Sequence, residues 1–306
     1  MNIKLKSHYM IATLLAAGIT LMSCSNDSPS GDMEGDSNER PDGGEIGGGI
    51  TIPKEVLEKV KGIYSKVSLE PQKVTTVHEM AILTSVCATR QVAGPISITP
   101  SLLNGEEITL VTLGGTEKKE GQATTMKESQ SAAFGKPNDY LTAVTRLFAD
   151  GTVPKEKPVL VTGISLGGMI AQQLIADSLI TADFELKAVI TFGSPITMPV
   201  KRNGIKVVRF ADEHDKVPKL GEMPLRMGMV STGMSRKELK AHLTHLDETE
   251  KIFCTSQYTD MIETHALSYI SEPCWDDVDF LGDPSKKNIL QLTESMKFYP
   301  APKLAE

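Results

Sequence analysis

Five residues, Gly163-Ile164-Ser165-Leu166-Gly167, place a serine between two glycines at the spacing of a nucleophile elbow. A serine hydroxyl is a weak nucleophile until a base takes its proton and a sharp turn presents its oxygen. Such a turn needs neighbours without a Cβ, because the incoming strand and outgoing helix pass close together. The flanking residues supply both elements. Val159, Leu160 and Val161 follow Pro158 as a short apolar run, the pattern of a buried parallel strand. From Met169 the period changes, and Met169, Ile170, Leu174 and Ile175 fall on one helical face. Ser165 is therefore expected at a helix N-terminus, whose dipole favours a developing oxyanion. A glycine-rich turn with an incidental serine would carry the same five letters, so the rest of the chain must supply partners.

Three further places could do so. Ile108–Leu113 reads as a strand, and Gly114-Gly115-Thr116 follows at its C-terminal end, where open α/β sheets hold their ligands. Backbone N–H groups there can point at an oxyanion, and the threonine hydroxyl can add a donor; an ordinary glycine turn has the same composition. Lys187–Phe192 reads as a strand ending in Gly193-Ser194-Pro195. Ile205–Phe210 is another, running into Ala211-Asp212-Glu213-His214-Asp215-Lys216-Val217-Pro218. A carboxylate after a strand that follows the nucleophile strand is where a Ser…Asp…His arrangement seats its acid.

The elements that position these residues occupy only part of the chain. Residues 1–23 form a signal peptide: Lys4 and Lys6 make a positive start, and Tyr9–Met22 is apolar but too short to span a bilayer comfortably. The stretch ends in Leu21-Met22-Ser23-Cys24, which resembles the lipobox of bacterial lipoproteins, in which the cysteine becomes the lipidated first residue. Residues 24–49 then read as a lipidated cysteine and an unfolded acidic tether. Ser25–Gly49 has seven acids against Arg40 alone, a net of −6. With +2 in the signal and −7 in total, residues 50–306 carry only −3, so the acidity says little about a substrate. No basic patch and few aromatics exclude a nucleic-acid reader. Residues 50–306 fit one α/β domain. Two helices over 53–67 and 77–92 are expected to cover the sheet, with His78 packing or at the surface. Residues 118–137, polar and poor in apolar residues, read as a long loop or partly helical flap before a helix over Tyr140–Phe148: a lid, or a disordered connection.

Four of these places together resemble one family, the class 3 (fungal-type) lipases of the α/β-hydrolase superfamily. Gly163–Gly168 (GISLGG) resembles the family's GHSLGG elbow and Thr191–Pro195 (TFGSP) its TFGxP strand end. Asp215–Pro218 (DKVP) resembles its D-x-V-P acid motif, and Leu113–Thr116 (LGGT) the strand end that helps build the oxyanion hole. The matches follow family order over some two thirds of the chain. Ile164 departs from the usual histidine, and Gly114 stands where arginine is common. The resemblance implies an α/β-hydrolase fold, a mostly parallel central sheet with helices on both faces. It also implies Ser165 as nucleophile, Asp215 as acid, and Thr116 and Leu166 as oxyanion-hole amides.

The base must follow the acid. His242 shares a helical face with Leu239, Leu243 and Leu246 behind a Ser235-x-x-Glu238 capping box, which reads as packing. His245 points away from that stripe, toward solvent. His265 lies 50 residues after Asp215, and its place shortly before Tyr269 resembles that of the family's histidine. The expected activity is hydrolysis of acyl esters through a Ser165–His265–Asp215 triad and an acyl-enzyme, with no metal or cofactor. Acyl transfer on the same triad, and a non-catalytic binding lipoprotein on a hydrolase scaffold, are the competing readings. Met223, Met227, Met229 and Met234 could wall an acyl chain or simply fill the core. Beyond Cys24 the chain has Cys87, Cys254 and Cys274, an odd number. Cys87, on an amphipathic helix, is expected buried and free. A Cys254–Cys274 bridge would close a loop worth about 3 kcal/mol in the chain-entropy model.

The expected location is the bacterial cell envelope, with the domain anchored to a membrane surface by lipid on Cys24. Each buried acyl CH₂ contributes about 0.8 kcal/mol, so multiple acylation holds firmly. Wild type should partition with membranes, and Cys24→Ala should remain uncleaved or be released; an unlipidated, wholly soluble wild type would refute the assignment.

Overall fold

The computed structural model describes residues 44–46, 50–88, 92–116, 121–197, 205–220, 235, 237–238, 241, 251–271, 275, 277–284 and 287–304. The signal peptide, Cys24, nearly all of the acidic tether, the methionines from 223 to 234, His242, His245 and Cys274 lie outside these residues. Inside the stretch read as tether, however, β1 (Gly44–Ile46) pairs antiparallel with β2 (Ile50–Ile52). The backbone register sets Ile46 opposite Ile50.

The protein is an α/β structure with a mostly parallel central sheet. The sheet strands are β3 (Lys73–Val74), β4 (Ile96–Leu103), β5 (Glu106–Leu113), β6 (Val159–Ile164), β7 (Leu186–Phe192), β8 (Lys206–Asp212), β9 (Lys251–Cys254), β10 (Leu290–Leu292) and β11 (Lys297–Tyr299). Among the described residues their order is β3-β10-β4-β5-β6-β7-β8-β9, with β11 also beside β4. β5 to β9 run parallel, while β3, β10, β4 and β11 form an antiparallel flank. Every residue of β6 is buried, as expected of a strand covered on both faces.

Helices are α1 (Lys54–Tyr64), α2 (Val77–Ser85), α3 (Met126–Ala133), α4 (Asp139–Ala149), α5 (Leu166–Ala176), α6 (Ser178–Asp183), α7 (Val217–Leu220) and α8 (Met261–Ser271). One apolar cluster joins α1, α2 and α8 to the sheet through Val60, Met80, Leu160, Ile190, Phe210 and Leu267. A second, containing Val161, Ile170, Leu174, Val144 and Phe148, packs α4 and α5 against the sheet. Leu160 and Val161 are adjacent in one strand yet belong to different clusters, because strand side chains alternate in direction.

Local signals account for the helix starts. Thr76 and Glu79 form a reciprocal capping box on α2. Asn138 caps α4 by accepting the Leu141 N–H, and Asp177 caps α6 through the Leu179 and Ile180 N–H groups. The Ser235/Glu238 capping box read from the sequence is also present: each backbone N–H donates to the other residue's side chain, at 2.9 and 3.3 Å. The helix over 77–92 is shorter than expected, passing into a 3₁₀ turn at Val86–Ala88. Segment 121–137 is not a loose flap. α3 lies on α5, where Gln173 Nε2 donates to Ala132 O at 3.2 Å and Asn138 Nδ2 donates to Gln173 Oε1 at 3.2 Å. Among the described residues no helix is long and apolar enough to cross a membrane.

Two glycines separate local freedom from enforced contact. A Cβ on exposed Gly62 in α1 would meet nothing within 4 Å, whereas one on Gly167 in α5 would stand inside the contact distance of the Leu113 and Gly114 carbonyl oxygens. Gly62→Ala should therefore stabilise the protein by up to about 1 kcal/mol. Gly167→Ala should cost more than about 3 kcal/mol or prevent folding. Urea unfolding midpoints check both; similar values for the two variants would contradict this crossing.

Candidate active site

Ser165 occupies the turn between β6 and α5 with φ 52° and ψ −117°, a conformation that non-glycine residues rarely adopt. The turn is held from both sides. Ser165 N–H donates to Phe192 O at 2.9 Å, and Ser165 O accepts from the Gly168 and Met169 N–H groups at 3.1 and 3.2 Å. Gly163, a turn earlier, has no room for a Cβ because the Gly167 backbone crosses there. Ser165 is 4 % exposed, and its Oγ has no hydrogen-bond partner. The buried hydroxyls of Thr99, Thr191, Thr197 and Ser268 share that state, so the strained turn is what sets Ser165 apart.

β8 ends at Asp212, and the chain turns so that Asp215 N–H donates to Asp212 O at 3.1 Å. Both carboxylates are fully buried, but they face different partners. Asp212 Oδ1 accepts the His214 N–H at 2.8 Å and its Oδ2 the Ser256 N–H at 3.2 Å, which ties the turn to the chain after β9. Asp215 Oδ1 accepts the Val217 N–H at 2.9 Å, at the start of α7. Its Oδ2 accepts from His265 Nδ1 at 2.7 Å.

His265 stands on α8, buried, with its ring against the strand end that also holds Ser165. A Cβ on Gly193 would lie 3.1 Å from His265 Cε1, and Gly193 follows Phe192, whose carbonyl oxygen anchors Ser165. Gly193 has φ +56°, so the left-handed turn and the closeness of the ring both favour glycine. Because Asp215 takes Nδ1–H, His265 presents Nε2 as the basic nitrogen. His265 and Ser165 are not hydrogen-bonded, since Ser165 Oγ has no partner. Catalytic hydrogen bonds are often open before substrate arrives.

Tyr269, named in the sequence only as a neighbour of His265, has a defined place. Its hydroxyl donates to Asp215 Oδ2 at 2.8 Å and accepts the Asp212 N–H at 3.1 Å. Burial, then the negative charge of Asp215, pushes its phenol well above the usual range, so it stays a donor. Its ring stacks on Trp275 at 6.1 Å; Trp275 meets Phe210 edge-on at 5.3 Å, and Phe210 stacks on Phe192 at 5.3 Å. That aromatic series runs from the acid back to the strand end under the serine. The only sequence signal for Tyr269 is its spacing of four from His265, one helical turn on the same face.

On the opposite side, Gly115 lies against the elbow: its Cβ position would be 3.5 Å from Ser165 Cβ. Thr116 follows, 3 % exposed, with Oγ1 2.8 Å from Ser129 Oγ on α3. Leu166 is the first residue of α5, where a backbone N–H has no acceptor within its own helix. Gly114 is fixed by its N–H to Pro95 O at 2.8 Å, and its own carbonyl accepts from Tyr140 Oη at 3.2 Å. The residues proposed as oxyanion donors thus lie on two backbone segments that meet at Ser165.

No family model, curated protein or solved structure matches this chain. The resemblance to lipases therefore rests on its four sequence motifs alone. Among the described residues no cluster of three or more His, Cys, Asp or Glu could hold a metal ion. Cys87 is buried and free, as expected. Cys254 is disulfide-bonded, and its partner is outside the described residues.

Tyr269→Phe removes one donor from Asp215 and one acceptor from Asp212 N–H. A hydrogen bond to a charged group contributes about 1.5–3 kcal/mol, so the rate of ester cleavage should fall about 10- to 100-fold. For the ester cleavage proposed below, KM should stay nearly constant, because the ring and its stack on Trp275 remain. Steady-state kinetics on the folded variant check this; an unchanged kcat would remove Tyr269 from the positioning of the acid.

Proposed function

We propose that this protein is a serine ester hydrolase of lipase-like type, acting on acyl esters through Ser165, His265 and Asp215. The observation that carries the reading is the convergence at Phe192–Gly193. One strand end holds the strained, partnerless Ser165 and closes on the His265 ring, whose Nδ1 is bonded to Asp215 at 2.7 Å. A structural histidine would not need a buried carboxylate on one ring nitrogen at the same strand end that anchors a strained serine.

The chemistry follows from that set. Ser165 Oγ forms a bond to the ester carbonyl carbon while its proton passes to His265 Nε2. Asp215, still ionised, holds the imidazole tautomer and stabilises the imidazolium. The carbonyl oxygen becomes an oxyanion, met by the N–H groups of Thr116 and Leu166 at the positive end of α5. Each such donor is worth about 2.7–4 kcal/mol where measured. Collapse breaks the bond to the alcohol oxygen, which leaves with the proton from His265. Water then gives a proton to His265 and its oxygen to the acyl carbon, and Ser165 recovers its proton as the acid departs. Lipid on Cys24 would hold this chemistry at a membrane surface in the bacterial envelope, where acyl esters are abundant.

A fluorophosphonate probe should label the wild-type protein and spare Ser165→Ala. A series of p-nitrophenyl esters of increasing length then defines the acyl preference. Equal labelling of both proteins, or no cleavage of any ester by the labelled one, would defeat the reading.

A further inference from the structure

We propose that a cavity beside Trp275 is a binding site for a neutral polyhydroxylated ligand, a mono- or disaccharide. The cavity measures about 340 Å³, within the range of about 300–1,000 Å³ common to small-molecule sites. Thr75 and Thr76 wall it at the start of α2, and Trp275, Asp277, Pro284 and Lys287 line it from the chain after α8. Neither Ser165, Asp215 nor His265 borders it, so the inference does not rest on ester hydrolysis. The indole is what points to a ligand. Trp275 is 2 % exposed, and its Nε1 is a buried donor without a partner. Of the buried polar atoms in that state among the described residues, it is the one whose residue borders this cavity. An indole N–H can only donate. The ring packs on Tyr269 at 6.1 Å and Phe210 at 5.3 Å, neither of which accepts from it. The open space that Trp275 borders is this cavity, so an acceptor for its N–H must enter there.

The lining selects the chemistry. Asp277, Asp279 and Asp283 border the cavity with one cation, Lys287, and that excess of negative charge repels a phosphate or a carboxylate. Asp279 is already engaged. Its Oδ1 accepts the Leu281 and Asp283 N–H groups, each at 2.9 Å, and its Oδ2 accepts from the backbone and side-chain amides of Asn288. It shapes the loop, which leaves exposed Asp277 and Lys287 to meet a ligand. Thr76 Oγ1 accepts the Glu79 N–H at 3.1 Å and keeps its own proton to give. Thr75 Oγ1 donates to Glu79 Oε2 at 3.1 Å and keeps its lone pairs. Donors on Trp275, Lys287 and Thr76 thus share one wall system with acceptors on Asp277 and Thr75. An organic ammonium would satisfy Asp277 but bring no acceptor for the indole. A hydroxyl gives and accepts at once, and several on one small ring serve both sets without adding charge. Val278 and Pro284 meet the apolar C–H surface of such a ring.

Trp275 is the only tryptophan of the chain, so its fluorescence reads this cavity directly. The whole protein is titrated with glucose, galactose, mannose, N-acetylglucosamine, cellobiose and lactose, and with spermidine and inorganic phosphate as charged comparators. Calorimetry measures affinity in parallel. At least one sugar should shift the Trp275 emission saturably, and neither charged probe should. Asp277→Ala and Lys287→Ala, both at exposed positions, should each weaken that sugar about 10-fold. Trp275→Phe keeps a ring beside Tyr269 and removes the donor, so calorimetry should find a similar loss; should it fail to fold, the two exposed variants decide. Ser165→Ala should bind the sugar as wild type does. No saturable response to any sugar overturns the site, as does a response to spermidine or phosphate as strong as to any sugar. Affinity unchanged in either exposed variant, or lost in Ser165→Ala, overturns it as well. Fluorophosphonate labelling of Ser165 is unaffected by each of these results, so the hydrolase reading stands or falls apart from them.

Discussion

The crossing of β6 and α5 over the end of β5 is the constraint on which the site depends. Gly163 and Gly167 let the two elements touch, and Gly167 sits directly on the Leu113 and Gly114 carbonyls. That contact leaves Ser165 a single route, through φ 52°, a conformation costing on the order of 1–3 kcal/mol. The cost is borne by the packing of a wholly buried strand and a helix whose residues from Leu166 to Ile175 are all buried. The same approach brings Gly115 against Ser165. The turn that raises the serine therefore also fixes where the strand end at Gly115 can stand.

Asp215 and His265 are held by different means. Asp215 is placed by a short turn after β8 whose carboxylates accept backbone N–H groups from the next residues and from the chain beyond β9. His265 is placed by a helix packed on α1 and α2, and the two meet because Tyr269 and Trp275 continue the stacked rings of Phe192 and Phe210. Trp275 is the only tryptophan of the chain, and it is 2 % exposed. Large apolar rings thus carry the energetic burden, while the hydrogen-bonded Asp215–His265 pair they align has both Asp215 oxygens engaged by donors.

Much of the parallel half was legible in advance. Strands β5 to β8 lie within one to three residues of their apolar runs, because strands covered on both faces carry a continuous signal. The antiparallel flank was not. Ile96–Leu103 contains Pro100, two serines and a threonine, and no element was read there. It is nonetheless a strand because the C-terminal segments at Leu290–Leu292 and Lys297–Tyr299 pair with it, almost 200 residues away. Segment 121–137 is partly helical, one of the forms expected, and long-range contacts pack it: Ala132 O accepts from the Gln173 amide of α5, and Ala301 O accepts the Ala123 N–H at 2.6 Å.

Residue type and spacing made the glycine-flanked turn at Ser165 legible, because steric demands at a sharp turn and helical periodicity are local, and the resemblance to lipases singled out Asp215 and His265. Only the tertiary structure decided which donors each carboxylate meets. It placed Asp215 rather than Asp212 against His265, with Tyr269 bridging the two, and set Ser129 on the Thr116 hydroxyl. Hydrogen bonds between residues dozens of positions apart depend on angles of a few degrees in packed elements, and no pattern along the chain encodes them.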